Sequence, residues 1–150
     1  KKIDTKLLII GYGPNIVKMK RYIKLNNLNT KVKIKNYILN PYPYIKKSDL
    51  FILSSLYEGL PNVLLESMAL KKFIISSSCP TGPDEILNYG EYGYLFKPKK
   101  YKSLAIKIFK FYNNRSNVNK SISKGYKSLK KFDFKHNCEK YKNVIEKHIL

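Results

Sequence analysis

Five short apolar runs, LLII at 7–10, VKIKNYI at 32–38, LFILSS at 50–55, KFIISSS at 72–78 and YGYLF at 92–96, are separated by segments of helix length. Strands joined through helices cannot close as hairpins. They pair in parallel through right-handed crossovers, and the crossover helices cover both faces of the sheet. The expected fold is therefore α/β, a doubly wound parallel sheet of Rossmann-like type. A helix over 14–27 carries Ile16, Met19 and Ile23 on one face. NPYPYIKKSD reads as a turn and short helix, with its direction set by Pro41 and Pro43. PNVLLESMAL is a helix, and TGPDEILNYG a turn with a short helix. From Lys99 onward helical periodicity takes over: Leu104, Ile108 and Phe111, then Val118, Ile122 and Leu129, then Tyr141, Val144, Ile145 and Leu150. The 150 residues suit one domain, with an α/β core over 1–98 and helices over 99–150 packed on it. In such sheets ligands bind outside the carboxyl ends of the strands. The loops GYGP, NYILNPYP, SSLYEGLPN and SSSCPTGPDE are therefore expected on one rim.

The chain carries 30 basic and 10 acidic residues, a formal net charge of +20. Only Arg21 and Arg115 are arginines, whereas base readout and bidentate phosphate clamping favour arginine. No nucleic-acid partner is expected, and the lysine surplus reads as compositional, with a weak attraction to anionic membrane surfaces. The distribution is more informative than the total. Residues 1–50 hold twelve basic and two acidic groups, residues 97–150 sixteen and three, but residues 51–96 only two and five. Cys79 and Cys138 suggest neither a disulfide framework nor a metal site. No apolar run approaches the roughly 18 residues of a membrane span. These features fit a cytoplasmic protein that touches the inner face of the cell membrane peripherally. The start at Lys1, running almost at once into a strand, reads as a piece of a longer chain.

Within the acidic middle, SSLYEGLPNVLLESMAL at 54–70 contains no lysine and two glutamates, Glu58 and Glu66. A helix starting near Pro61 loses nothing to the missing N–H. It presents Pro61, Leu64, Leu65 and Met68 to the sheet as an i, i+3, i+4, i+7 stripe. Glu66 lies beside that stripe, and helical side chains lean toward the N-terminus, so its carboxylate points back toward the loop holding Glu58. The N–H groups of Asn62 and Val63 carry the positive end of the helix dipole and suit a phosphate. A carboxylate about one turn away suits the two hydroxyls of a ribose. Spacing alone leaves a second reading open, in which Glu58 caps the loop and Glu66 is solvated at the helix edge.

The stretch DLFILSSLYEGLPNVLLESMAL, followed by FIISSSCPTGPDEILNYGEYGYLFKP, resembles the donor-binding half of family 4 glycosyltransferases of the GT-B fold. Their Glu-x7-Glu motif falls on Glu58 and Glu66, and GYGP and NPYPYIKKSDLF occupy the places the family expects. The likeness is dense over about residues 7–98 and is closest to the subgroup that builds polysaccharides and lipid-linked oligosaccharides. It implies a retaining, metal-independent transfer from a nucleotide-sugar, a UDP-sugar foremost, to a glycan or lipid-linked acceptor. Glu66 would then bind the donor ribose, and Glu58 the hydroxyls of the donor sugar at the reacting centre. The N–H groups of Asn62 and Val63 would hold the diphosphate, with Gly59 and Leu60 beside the sugar. Asn36 and Tyr37 would face the base, and Gly82 and Glu85 are further candidate contacts. No cofactor and no metal are implied, and no Asp-x-Asp pair is present. The family's acceptor-binding domain and diphosphate-clamping arginine–lysine pair would lie upstream of residue 1, so the chain alone would bind a donor without efficient transfer.

Two other readings compete. A non-catalytic nucleotide-sugar-binding remnant would keep the same fold and motif. A dinucleotide-binding domain is suggested by Gly11-x-Gly13, but Ile16 stands where the third glycine belongs, and no acid lies between Asp4 and Asp49 to take an adenosine ribose.

Overall fold

The structure is a computed structural model describing residues 3–149, with side chains through His148. Leu150, the last member of the third C-terminal stripe, lies outside the described residues. The chain divides into two compact units, one ending at Tyr44 and one beginning at Ile45.

In the first unit, β1 (Leu7–Ile10) leads through α1 (Ile16–Leu25) to β2 (Val32–Lys35). The strands pair in parallel with Ile9 opposite Ile34. Helix α1 is shorter than the predicted 14–27, but its inward face is the expected one: Ile23 is buried and Ile16 and Met19 are half-buried. Strand β1 is less buried than its wholly apolar sequence suggests, with Leu7 and Leu8 46% and 38% exposed. Two strands and one ten-residue helix offer too few side chains to cover both faces of the pair.

Helix α2 (Tyr42–Lys47) leads into the second unit, which contains β3 (Leu50–Leu53), β4 (Phe73–Ser77) and β5 (Tyr94–Phe96) in the spatial order β3-β4-β5, all parallel. Pairing is parallel in both units, as expected of an α/β Rossmann-like fold, with the ladders β1-β2 and β3-β4-β5. Strands of three to five residues make few ladder bonds each. Their alternation with helices determines the parallel sense.

Every residue of β4 is buried, and its alternation divides the core. Ile74 packs with Leu64 and Met68 of α3 (Asn62–Ala69) and with Ile86 and Leu87 at α4 (Pro83–Ile86). Phe73 and Ile75 face the other way, toward Phe96, Val118 and Phe111 of α5 (Tyr101–Asn113). The expected stripe Leu104, Ile108 and Phe111 is the face that packs there, joined by Ile122 of α6 (Asn119–Ser128). Phe73 stacks on Phe111 with ring centres 5.3 Å apart and meets Tyr94 edge-on at 4.8 Å. Helix α6 also approaches α3 through Gly125, where a Cβ would stand 3.2 Å from Tyr92 Cβ and 3.3 Å from Met68 Cε.

The last helix, α7 (Phe134–Ile149), departs from expectation. Its apolar residues Tyr141, Val144 and Ile145 are exposed, as is Phe134. Periodicity establishes that a helix has an apolar face, but it carries no information about what covers that face.

Lys124 of α6 is paired with Glu91, which the Asn88 amide also contacts. The hydrogen bond from Lys124, reinforced by Asn88, holds the Glu91 carboxyl below the ordinary glutamate range, and the same bond raises Lys124. A depressed carboxyl contributes stability above its unfolded pKa and loses it as pH falls through the folded value. A raised lysine contributes below its unfolded pKa and loses it as pH rises through the folded value. The melting temperature of Glu91→Gln should therefore fall less steeply than wild type as pH drops below the ordinary carboxylate range. A parallel pair of thermal melts from pH 7 to pH 3 measures it. For the core, Phe73→Ala should cost about 3–5 kcal/mol, whereas Phe134→Ala on the exposed helix should stay within about 0.5 kcal/mol, both read from urea denaturation.

Candidate functional site

The loop from Ser54 to Pro61 follows the carboxyl end of β3 and delivers the chain into α3. Pro61 is extended at the helix N-cap (φ −72°, ψ 94°) and buried, and its carbonyl accepts from the Leu64 N–H at 2.9 Å. The stripe predicted to face the sheet does so: Leu64 and Met68 are buried and Leu65 half-buried, with Ser67 buried beside them. No side chain caps this helix and no acid lies in its first turn. Among the described residues, the N–H groups of Asn62 and Val63 have no acceptor. An unsatisfied amide pair at the positive end of a helix favours an anion.

Glu58 and Glu66 are both half-buried. Among the described residues neither carboxylate has a hydrogen-bond or ion-pair partner, which is unusual in a chain with 30 lysines and arginines. The other acids show the contrast. Asp4, Asp49, Glu91 and Glu146 are paired with Lys31, Arg115, Lys124 and Lys142. Asp84 accepts from the Ser78 hydroxyl at 2.6 Å, and Asp133 from the His136 N–H at 3.0 Å. Glu85 and Glu139 are unpaired but exposed to water. Glu58 and Glu66 combine partial burial with no partner on either carboxylate oxygen, whereas the half-buried Asp84 has one oxygen engaged. Such groups cost folding energy unless something hydrogen-bonds to them.

Gly59, Leu60 and Asn62 are exposed and Val63 half-buried, so the loop and helix tip are accessible. In the first unit, Asn36 and Tyr37 follow β2 and are exposed, and Tyr37 meets Tyr12 edge-on with ring centres 6.5 Å apart. Gly82 is the N-cap of the four-residue α4, and Asp84 and Glu85 lie in its first turn, Asp84 with one buried oxygen lacking a partner.

Three contacts that tie the loop after β3 to the end of β4 and the loop that follows it were not legible in the sequence. The buried Ser77 hydroxyl donates to the Ser55 carbonyl at 2.6 Å. The Thr81 hydroxyl lies 2.6 Å from the Glu58 carbonyl. Gly82 sits so close that a Cβ there would stand 2.1 Å from the Gly59 carbonyl oxygen. The only sequence signal was the run of small polar residues, SSSCPTG, at the end of the most buried strand.

Among the described residues, no three His, Cys, Asp or Glu side chains are grouped to hold a metal, and no helix is long and apolar enough to cross a membrane. Cys79 is buried and Cys138 exposed, both as free thiols.

Parallel strands flanked by helices define an α/β fold of Rossmann-like type. The sequence matches the family Glycosyl transferases group 1 over residues 1–128, and the chain belongs to that family. It is 31% identical to an uncharacterized glycosyltransferase of Methanocaldococcus jannaschii, over 95% of this chain and 42% of that protein. It is 33% identical to N-acetylgalactosamine-N,N'-diacetylbacillosaminyl-diphospho-undecaprenol 4-alpha-N-acetylgalactosaminyltransferase of Campylobacter jejuni, over 69% of this chain and 28% of that protein. Among solved structures, a mutant of Staphylococcus aureus TarM in complex with Fondaparinux, alpha-GlcNAc-glycerol and UDP superposes with a TM-score of 0.84. Its identity is 26%, over 93% of this chain and 28% of that one. Anabaena HepE shares the fold, with a TM-score of 0.86 at 17% identity, over 95% of this chain and 41% of that one. The chain thus spans less than half the length of each of these relatives.

Removing the Ser77 hydroxyl leaves the Ser55 carbonyl without its donor. Ser77→Ala should destabilise the chain by about 1–3 kcal/mol, seen as a lower urea midpoint at unchanged slope.

Proposed function

We propose that this chain is the donor-binding half of a retaining, metal-independent glycosyltransferase that moves a sugar from a UDP-sugar to a glycan or lipid-linked acceptor. The observation that carries the reading is the pair of half-buried, unpartnered carboxylates, Glu58 and Glu66, on either side of an uncapped helix tip. A nucleotide-sugar satisfies all of these groups together. Its diphosphate takes the N–H groups of Asn62 and Val63, where fixed dipoles meet phosphate charge without a reorganisation cost. Its ribose gives two hydroxyl protons to Glu66, and its sugar gives hydroxyl protons to Glu58. Gly59 and Leu60 leave the loop open on the sugar side, and Gly82 and Glu85 lie toward the sugar.

UDP in the TarM complex supports the choice of nucleotide, and the diphospho-undecaprenol acceptor in the name of the Campylobacter relative supports a lipid-linked acceptor. Departure of UDP from the anomeric carbon leaves negative charge on the diphosphate. The helix tip is suited to stabilise that charge in the transition state. Work at the cytoplasmic face of a membrane, with a weak lysine-mediated attraction to anionic lipid, belongs to the same proposal.

Calorimetric titration with UDP tests the reading. Wild type should bind. Glu66→Ala should weaken UDP by about 10- to 150-fold, the equivalent of about 1.5–3 kcal/mol for charge-assisted bonds. Glu58→Ala should leave UDP nearly unchanged while flattening the preference among UDP-sugars. Equal UDP affinity in wild type and Glu66→Ala would defeat the ribose assignment.

A further inference from the structure

Thr81 is a β-branched residue held at φ +65°, and Gly82 follows at φ +83°. A left-handed backbone is a genuine outlier for a β-branched side chain and costs of order 1–3 kcal/mol, so the surroundings must hold it there. Here that conformation places the single hydroxyl of Thr81 against two carbonyls, that of Glu58 at 2.6 Å and that of Pro80 at 2.7 Å. The next residue brings its Cα close against Gly59 and Pro61, where an added Cβ would stand 2.1 Å from the Gly59 oxygen and 2.6 Å from Pro61 Cδ. The Glu58–Gly59 segment is thereby gripped from one side on consecutive residues. Its own chain provides little restraint, since Tyr57, Gly59 and Leu60 are exposed.

We infer that Thr81 and Gly82 are positioning residues, a strained clamp that fixes the backbone of Glu58 and so aims its carboxylate at the donor sugar. The inference rests on the proposed role of Glu58 at the sugar. Neither residue acts on the substrate through its own side chain in this role. Thr81 holds the carbonyl of Glu58, and Gly82 sets how near the two loops come. Glu66 lies in the second turn of α3, outside the clamped segment. Clamping therefore separates sugar recognition from nucleotide recognition.

The test uses the 150-residue chain with three substitutions. Thr81→Val keeps the branched shape and removes the hydroxyl, Thr81→Gly relieves the backbone and removes the hydroxyl, and Thr81→Ser keeps the hydroxyl. Amide hydrogen exchange across 57–60, without ligand, should accelerate in Val and Gly and return to the wild-type rate in Ser. Titration with UDP, UDP-glucose, UDP-galactose and UDP-N-acetylglucosamine should show UDP affinity within about twofold of wild type in all three. Affinity for the preferred UDP-sugar should fall about three- to tenfold in Val and Gly only, as for one neutral hydrogen bond. A merely structural role would weaken UDP and UDP-sugars alike, and that outcome overturns the clamp. Unchanged exchange with UDP binding intact also overturns the clamp and leaves the donor reading standing. Altered exchange with no UDP binding even in wild type overturns the donor reading, and with it the clamp's function.

Discussion

Burial of β4 on both faces is the constraint on which the second unit depends. Five consecutive residues are sealed from water, and a strand in that position must send alternate side chains into two separate cores. Ile74 does so toward α3 and α4, and Phe73 and Ile75 toward α5. Helices on opposite sides of the sheet are thus referenced to one strand. The loops at its carboxyl end and at that of its neighbour β3 acquire their spacing from the β3–β4 register, Leu53 beside Ser76. A site built on those loops inherits the rigidity of the core below it, although its own residues are exposed or half-buried.

The site resolves a conflict of charge. The chain is strongly basic, yet Glu58 and Glu66 are left without cations while most other acids are partnered or fully hydrated. An acid kept unpartnered at partial burial costs stability unless a ligand supplies the missing donors. The uncapped amides of Asn62 and Val63 pose the complementary problem, donors lacking an acceptor. The nucleotide-sugar we propose, carrying both phosphate and vicinal hydroxyls, would satisfy the two together. The arrangement follows from the local sequence: proline at the turn, an apolar stripe that docks α3, and glutamate beside that stripe. The loop after β4 completes it with restraint, from hydroxyls on carbonyls and a glycine at a contact where no side chain fits.

Regions with little local chemistry were harder to read. Leu7 and Leu8 are as apolar as any core strand, yet they are exposed because their unit has few side chains to set against them. Tyr141, Val144 and Ile145 have a clean helical period and no cover. Hydropathy reports what a segment would gain by burial, and that gain is realised only where another element is near.

The sequence by itself determined the order of strands and helices, their parallel sense, the inward stripe of α3, and the placing of Glu58 and Glu66 around one helix start. Each of these follows from spacing along the chain, which covalent geometry converts directly into direction. Only the tertiary structure decided that the two glutamates are left unpaired, and that Thr81 and Gly82 press on the loop between them. Those outcomes depend on atoms that come together from distant positions, as Thr81 and Glu58 do across 23 residues. No local periodicity encodes such an encounter.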